Sequence, residues 1–593
     1  MAEPDPRVER LSGTKRELLS RWLAGSPAAA APETGAERTV AAIWREVLDL
    51  GEVGRDDDYF ALGGDSVHAI VIVAKLEEAG LRITAQDLFD LATVRGVAER
   101  AVLGAVPSVA AGPSRTEHPL GPMQEGMLYH SAGGSGPGAY VVQVCCSLTG
   151  ELDPAAFRAA WAAVLAATPA LRGSFGWAGR AEPHQVVAAT AEPDVEFLDW
   201  RDRGVPERAE ALAEYLDRDR ERGFDLGRAP LFRLALMRES ATGWRCVWTH
   251  HHLILDGWSQ QLVLADVLAS YAALQTGAEP RLPRRPAMPD YLDWLRPRDA
   301  AADLAFWGRQ FAGLPGPSRI AGPGCVRGQV LAPRRGEVAV TVPESATAAL
   351  NSLCRGHGLT VSTVLYGVWG LLLGELCASA DVVFGVTVSG RPPSLPGATE
   401  LVGMLINTLP LRVRCTGEAA VLPWLRELRD RLAGMREHGH LPLSRITRAI
   451  GLNRGETLFD TIVVIENFPV AVTGGTSGAL AIGDVRTLVD EGYPLVLEAV
   501  PGAEIRLRAR HDPSRLTAAE VRGMLDACTG CLDALVADPA QPVCRLRARL
   551  AERHRLSREQ EFLDRRDSAG QQLRTARRRG AADIGGTHAG EGS

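Results

Sequence analysis

At 593 residues the chain is too long for one ordinary core, so two to four domains are expected. Hydrophobic residues make up 46% and charged residues 23%, as in soluble globular proteins, and a net charge of -7 with a pI near 6.1 gives no nucleic-acid surface. Ten cysteines are too sparse for a disulfide framework, no basic-then-apolar leader opens the sequence, and the most apolar run, residues 361 to 373, is too short to span a bilayer, so a cytoplasmic protein without membrane partners is expected.

Residues 7 to 23, with Leu18, Leu19, Trp22 and Leu23, read as a short amphipathic helix, either a docking element or a helical cap. With the Ala/Pro/Gly-rich linker of residues 24 to 36 they form an N-terminal segment, 1 to 36. The block 37 to 103 is small and helical by period: Val40, Ile43, Trp44, Val47 and Leu48 share one face, and Val67, Ile70, Val71 and Ala74 repeat that spacing. The loop between them ends in Gly63-Gly64-Asp65-Ser66, where the glycines permit a tight turn. Ser66 then heads a helix, where free N–H groups and the helix dipole favour an anion such as a phosphodiester. The same four residues also suit a plain N-cap by Asp65 or Ser66, and they do not choose between the two.

Residues 104 to 116 form a second linker, and 117 to 545 run without another low-complexity break. That length suggests two lobes, about 117 to 290 and 291 to 545. Asp153 and Pro154 open a helix whose apolar face is Phe157, Trp161, Val164 and Leu165. Strand-like runs at 246 to 249, 382 to 388 and 461 to 466 mix with helices, which predicts an α/β (α+β) class. The C-terminal tail, 546 to 593, is charged and then Gly-rich, and is expected to be disordered over 575 to 593.

Residues 250 to 252 are consecutive histidines, followed by Leu253-Ile254-Leu255-Asp256-Gly257. Neighbouring side chains on a strand point to opposite faces, so a shared metal site is disfavoured, and a helical i, i+4 zinc pair is impossible at this spacing. Imidazole can instead take the proton that an amine must lose when it attacks a thioester. Asp256 is expected in a buried ion pair with an arginine such as Arg172 or Arg391, and Gly257 would let backbone or substrate approach closely. Cys528-Thr529-Gly530-Cys531 has no second pair nearby and reads as a buried pair on one helix face, so no metal is expected there.

Two longer strings carry a family resemblance. Asp57-Asp58-Tyr59-Phe60-Ala61-Leu62-Gly63-Gly64-Asp65-Ser66-Val67-His68-Ala69-Ile70 closely resembles the peptidyl carrier proteins of nonribosomal peptide synthetases, over about residues 37 to 103 including Trp44 and Asp87-Leu88-Phe89. The resemblance implies a small four-helix carrier bundle with 4'-phosphopantetheine on Ser66. His251-His252-Leu253-Ile254-Leu255-Asp256-Gly257 matches the His-His-x-x-x-Asp-Gly signature of the condensation domains of those synthetases. Pro119 to His130, Tyr291-Leu292-Asp293-Trp294, Val402 to Arg412, Leu458-Phe459-Asp460-Thr461 and Tyr493-Pro494-Leu495 resemble further segments in family order, over roughly 117 to 545. This implies two chloramphenicol-acetyltransferase-like lobes in a V, with His252 catalytic, His251 supporting it, and Asp256 structural beside Gly257. The family's Arg-His-x-x-Leu-Arg-Thr segment stands here as Ala167-Thr168-Pro169-Ala170-Leu171-Arg172-Gly173, without the first Arg and the His.

The implied function is condensation of a phosphopantetheine-tethered acyl or aminoacyl thioester with an amine, or with a hydroxyl to give an ester. Epimerization domains share the histidine motif, but Glu437-His438-Gly439-His440 only echoes their Glu-Gly-His-Gly, and Ile465-Glu466-Asn467-Phe468-Pro469 is condensation-like. A catalytically inactive recruitment module is the other alternative, and the intact histidines and Asp256 argue against it. No adenylation segment is visible, so the expected partners are a separate adenylation enzyme, a phosphopantetheinyl transferase, and a downstream carrier or soluble amine acceptor.

Overall fold

The computed structural model describes residues 30–64, 66–103, 115–132, 138–177, 182–320, 335–415, 418–452, 456–466, 480–489, 491–556 and 559. The helix expected over residues 7 to 23, Asp65, most of the second linker, Asn467-Phe468-Pro469 and the tail over 575 to 593 lie outside the described residues.

The first unit is helical: α1 Gly35–Val47, α2 Ser66–Glu78, α3 Ala85–Leu91 and α4 Val94–Arg100, with short strands β1 Leu81–Arg82 and β2 Val102–Leu103 paired antiparallel. Thr34 opens α1 in a reciprocal capping box with Glu37, so the helix begins inside what composition marks as linker. The α1–α2 loop is ordered because it supplies core: Tyr59 and Phe60 pack with Trp44 and Phe89, the Trp44 and Tyr59 rings 5.4 Å apart. Asp58 Oδ1 fixes the turn by accepting the Phe60 and Ala61 amides, both at 2.9 Å. The two glycines answer different demands. Gly63 has φ +92, and a Cβ on Gly64 would lie 2.3 Å from the Tyr59 ring.

The larger unit is built on two mixed sheets. The first half contributes β3 Glu117–Pro119, α5 Pro122–Ala132, β4 Val141–Thr149, α6 Pro154–Ala167, β5 Gly173–Gly176, β6 His184–Val187 and β7 Asp194–Asp199. It continues through α7 Val205–Arg222, β8 Phe232–Arg238, β9 Gly243–His251, α8 Gly257–Gln275, α9 Met288–Leu295 and α10 Ala300–Phe311. The second half contributes β10 Gly336–Val342, α11 Glu344–His357, α12 Val361–Leu376, β11 Asp381–Val388, β12 Asn407–Arg414, α13 Val421–Glu437 and α14 Leu443–Ala449. It ends with β13 Thr461–Ile465, β14 Ala481–Leu488, β15 Leu495–Val500, β16 Ile505–His511 and α15 Ala518–Ala537. The strand order is β14-β4-β9-β8-β7 in one sheet and β10-β16-β15-β13-β11-β12 in the other, with a small β3-β6-β5 sheet beside the first.

Asp153 caps α6 through the Ala155 amide, and the face Phe157, Trp161, Val164 and Leu165 packs into the first core with Phe232 and Trp248. The second core gathers Trp307, Trp369, Phe384 and Phe459. The apolar run 361 to 373 is part of α12, a helix of this core, and among the described residues no single helix is long and apolar enough to cross a membrane. Cys528 and Cys531 are both buried in α15, and burial pushes the Cys531 thiol up to about 12.

Two boundaries differ from the expected ones. The chain does not divide cleanly near residue 290, because β14 returns from the second half and pairs with β4 in the first sheet, from Ala481↔Thr149 to Leu488↔Gln143. That strand closes an edge of β4 that would otherwise be unpaired. The ordered domain also continues past 545: residues 543–556 are helical, and Leu546 and Leu550 are buried in the second core.

Candidate active site

The histidine motif sits where a central strand ends. β9 is bonded on one side to β4 and on the other to β8, with His251 opposite Val141 and His250 opposite both Val142 and Phe232. The chain then leaves the sheet: the His252 amide donates to the Tyr140 carbonyl (2.8 Å), and after Asp256 it enters α8. The five-residue link is held from outside as well. Gln124 of α5, itself buried, accepts from the Gly121 amide (2.8 Å) and donates to the Leu253 carbonyl (2.8 Å) and to Gln185 (3.1 Å).

Asp256 is wholly buried and does two things. It is the N-cap of α8, its Oδ1 accepting from the Ser259 amide at 2.8 Å. It also forms a bidentate pair with Arg391, which follows β11 in the second half of the chain, with N–O distances of 2.8 and 3.1 Å and no exposure of either side chain. Arg391 further donates to Ser259 Oγ, Leu401 O and Ser389 O, and Asp256 Oδ2 also accepts from the Leu405 amide. Burial alone would raise the Asp256 pKa, but the Arg391 guanidinium and the Ser259 bonds hold it below the usual carboxylate range. Arg172 is not the partner. It donates to the carbonyls of Leu165, Ala188 and Ala189.

His251 and His252 have different tautomeric surroundings. His251 Nδ1 accepts from the Leu253 amide (3.2 Å), which leaves its proton on Nε2, and its ring meets Phe224 edge to face. His252 Nδ1 lies 2.8 Å from the Leu255 carbonyl, which can only accept, so Nδ1 carries the proton and Nε2 keeps a lone pair. Burial pushes His250 and His251 down to about 3. Burial also lowers His252, opposed by its bond to Leu255 and by Asp256, so its imidazole is neutral near pH 7.

His252 lines a cavity of about 1610 Å³ whose walls come from both halves of the larger unit and from the helical unit. Gly257, Trp258 and Gln260 line it from the first half of the larger unit, and Thr387 to Ser389 and Tyr493 from the second. A charged patch faces it too: Arg510 bonds Glu491 (2.6 Å) and Glu498, Arg508 bonds Glu498 (2.6 Å), and burial beside Glu498 pushes Glu466 up to about 7.

Ser66 is the first residue of α2, and Ile70, Val73 and Glu77 of that helix line the cavity. The intervals of four, three and four put positions 66, 70, 73 and 77 on one helical stripe. Val71 packs against the first core, and Arg429 of α13 lies 3.6 Å from Asp90. The helical unit therefore touches both halves, and a prosthetic arm on position 66 fits this geometry, at the start of a helix that lines a large cavity. Sequence reasoning assigns no individual role to Ser259, Trp258 or Gln124. Trp258 donates to Thr399 O (2.9 Å) and lies under the Arg391 guanidinium at 4.9 Å, so the residues just after Gly257 were the available signal.

Comparison with known proteins agrees with this arrangement. Residues 114–553 match the condensation domain family and residues 38–101 the phosphopantetheine attachment site family. A linear gramicidin synthase of Brevibacillus parabrevis is 37% identical over 439 residues, 74% of this chain, and chondramide synthase of Chondromyces crocatus is 34% identical over 386 residues, 64% of this chain. The chain spans only 8% and 10% of the length of these relatives. Among solved structures, the starter condensation domain of rhizomide synthetase superposes with a TM-score of 0.62 at 20% identity, covering 72% of this chain and 96% of that one. The first condensation domain of the calcium-dependent antibiotic synthetase gives 0.61 at 20% identity, covering 73% and 98%. The chain belongs to the condensation domain family of nonribosomal peptide synthetases, preceded by a phosphopantetheine attachment domain.

Proposed function

We propose that this chain joins an acyl or aminoacyl group tethered on Ser66 to an amine, forming an amide, or to a hydroxyl, forming an ester. The observation that carries the reading is the His252 ring: its Nδ1 is committed to Leu255 O, so its neutral Nε2 is a base at the wall of the cavity that α2 also lines. The phosphopantetheine arm on Ser66 would supply the thioester-activated acyl group. His252 Nε2 takes up the proton that the attacking amine loses as the C–N bond forms, and returns it to the departing sulfur as the C–S bond breaks. Asp256 does not touch this proton. With Arg391 and Ser259 it fixes the turn into α8, and so the place of the His252 ring. Enclosure in the cavity supplies proximity, worth about 7–11 kcal/mol in well-oriented systems.

The reading assigns three kinds of partner. A phosphopantetheinyl transferase modifies Ser66, a separate adenylation enzyme loads it, and a downstream carrier or soluble amine receives the acyl group, all in the cytoplasm. Intact-protein mass spectrometry tests the reaction. An aminoacyl arm installed on Ser66 from a synthetic coenzyme A conjugate should be discharged by an amine acceptor, with the amide appearing as product. Deuterium uptake at the α-carbon in D2O without amide formation would show an epimerase instead, and neither event would show a recruitment module.

A further inference from the structure

Glu437-His438-Gly439-His440 takes no part in the proposed reaction, yet Glu437, Gly439 and His440 line the same cavity as His252. The turn they form is held from several sides. Arg298 donates to Glu437 O (3.2 Å), Trp307 to His438 O (2.9 Å), and Asn407 to Gly439 O and Leu441 O (both 2.8 Å). The His438 ring is committed to Asp303, with Nδ1 2.7 Å from the carboxylate. The His440 ring is not committed. It stands edge to face against Trp294, 4.9 Å between centroids, and its Nδ1 is sealed from solvent without a hydrogen-bond partner. Nε2 also has no partner among the described residues but is not sealed, so it is the ring nitrogen that reaches the cavity. Burial, with Arg298 and His438 beside it, pushes His440 down to about 3, so the ring is neutral and carries one proton. Folded proteins strand buried N–H donors more rarely than acceptors, which places that proton on Nε2, where a partner can meet it.

His440 stands on a wall that runs from the carrier to the histidine motif. On α13, Arg429 meets Asp90 of the helical unit, and Asp430, Ala433 and Glu437 follow as one cavity-lining face. At 1.5 Å per residue that face leads, over about 10 Å, to the turn that carries His440. Beyond the turn, Asn407, which holds it, lies between Ile406 and Thr408, and both of these line the cavity. One residue before Ile406, the Leu405 amide donates to Asp256, which closes the link after His252. A phosphopantetheine arm laid along this wall presents two amides between its phosphate and its sulfur. The His440 donor is neutral and fixed, which suits an amide carbonyl better than an ion.

We infer that His440 Nε2 donates a hydrogen bond to one of the two amide carbonyls of the phosphopantetheine arm, and so sets how far the thioester reaches toward His252. The inference rests on the proposed condensation reading. Its probes are the acetonyl thioether of pantetheine, in which a ketone stands in for the thioester, and two analogues in which one amide or the other is replaced by a trans-alkene of the same shape. Binding to the Ser66→Ala protein is measured by calorimetry, with His440 intact and as His440→Phe or His440→Gln. Phe keeps a ring against Trp294 without the donor, and Gln keeps an N–H at a similar reach. With His440 intact, one alkene analogue should bind about 2- to 12-fold more weakly than the full amide probe, the range of a neutral hydrogen bond. His440→Phe should lower the full probe to the level of that analogue and cost the analogue nothing further, whereas His440→Gln should keep the difference. Equal binding of all three probes with His440 intact would overturn the inference. So would a His440→Phe protein that loses the same factor for every probe, which would make the ring structural. If the full amide probe does not bind at all, it is the condensation reading that fails, because the cavity then accepts no arm.

Discussion

Asp256→Ala should unfold the larger unit more easily while abolishing turnover. The substitution strands the Arg391 guanidinium, which has no solvent exposure, with only Ser259 Oγ and two carbonyls. It also removes the acceptor of the Ser259 and Leu405 amides. Breaking one side of a buried ion pair costs about 3–5 kcal/mol, and the orphaned amides place the expected loss in the upper half of that range. Urea unfolding followed by tryptophan fluorescence reads this as a lower midpoint with an unchanged slope. The double variant Asp256→Leu with Arg391→Met should recover much of the loss, since it leaves no stranded charge. The pH dependence has a fixed sign. The folded pKa of Asp256 is depressed, so its contribution is full above the unfolded value near 3.9 and disappears as pH falls through the folded value. An Asp256→Ala protein within about 0.5 kcal/mol of wild type, yet inactive, would refute the structural assignment and point to a direct chemical role.

Three further outcomes follow. Ser66→Ala should accept no arm from a phosphopantetheinyl transferase, read as the absence of the added mass, while the melting temperature stays at the wild-type value. His251→Ala should lower turnover less than a change at His252 and should lower stability by about 1–3 kcal/mol in thermal or urea unfolding, because it orphans the Leu253 amide. Once the acceptor amine's own deprotonation, at about 7.7–8.0 for an α-amino group, is divided out, the pH–rate profile for single turnover should be flat above neutrality, with an acid limb centred below the ordinary histidine value of about 6.5, because burial keeps His252 neutral. A limb centred above 7 would mean that another group is the base.

Local chemistry is legible in the sequence, and long-range placement is not. The α6 start at Asp153, the strands around residues 246 to 249, 382 to 388 and 461 to 466, and the buried Cys528 and Cys531 all follow from capping, alternation and helical spacing over a few residues. By contrast, β14 joins the first sheet across more than 300 residues of chain, and its own pattern carries no trace of which edge it will cover. The choice between Arg172 and Arg391 is likewise open from sequence, because both are arginines near turns and only the packing of β11's end against α8 selects the second.

The most direct test is single-turnover amide formation by His252→Ala, starting from the protein with a fully loaded Ser66 and a competent amine acceptor. The fold and the loading of Ser66 should be retained, and the rate should fall by about 10²–10⁴, the usual contribution of a positioned proton acceptor. The remaining rate would come from enclosure of thioester and amine together. A His252→Ala protein that forms amide at the wild-type rate would contradict the account, because the lone pair left on Nε2 by the Leu255 hydrogen bond would then have no part in the chemistry.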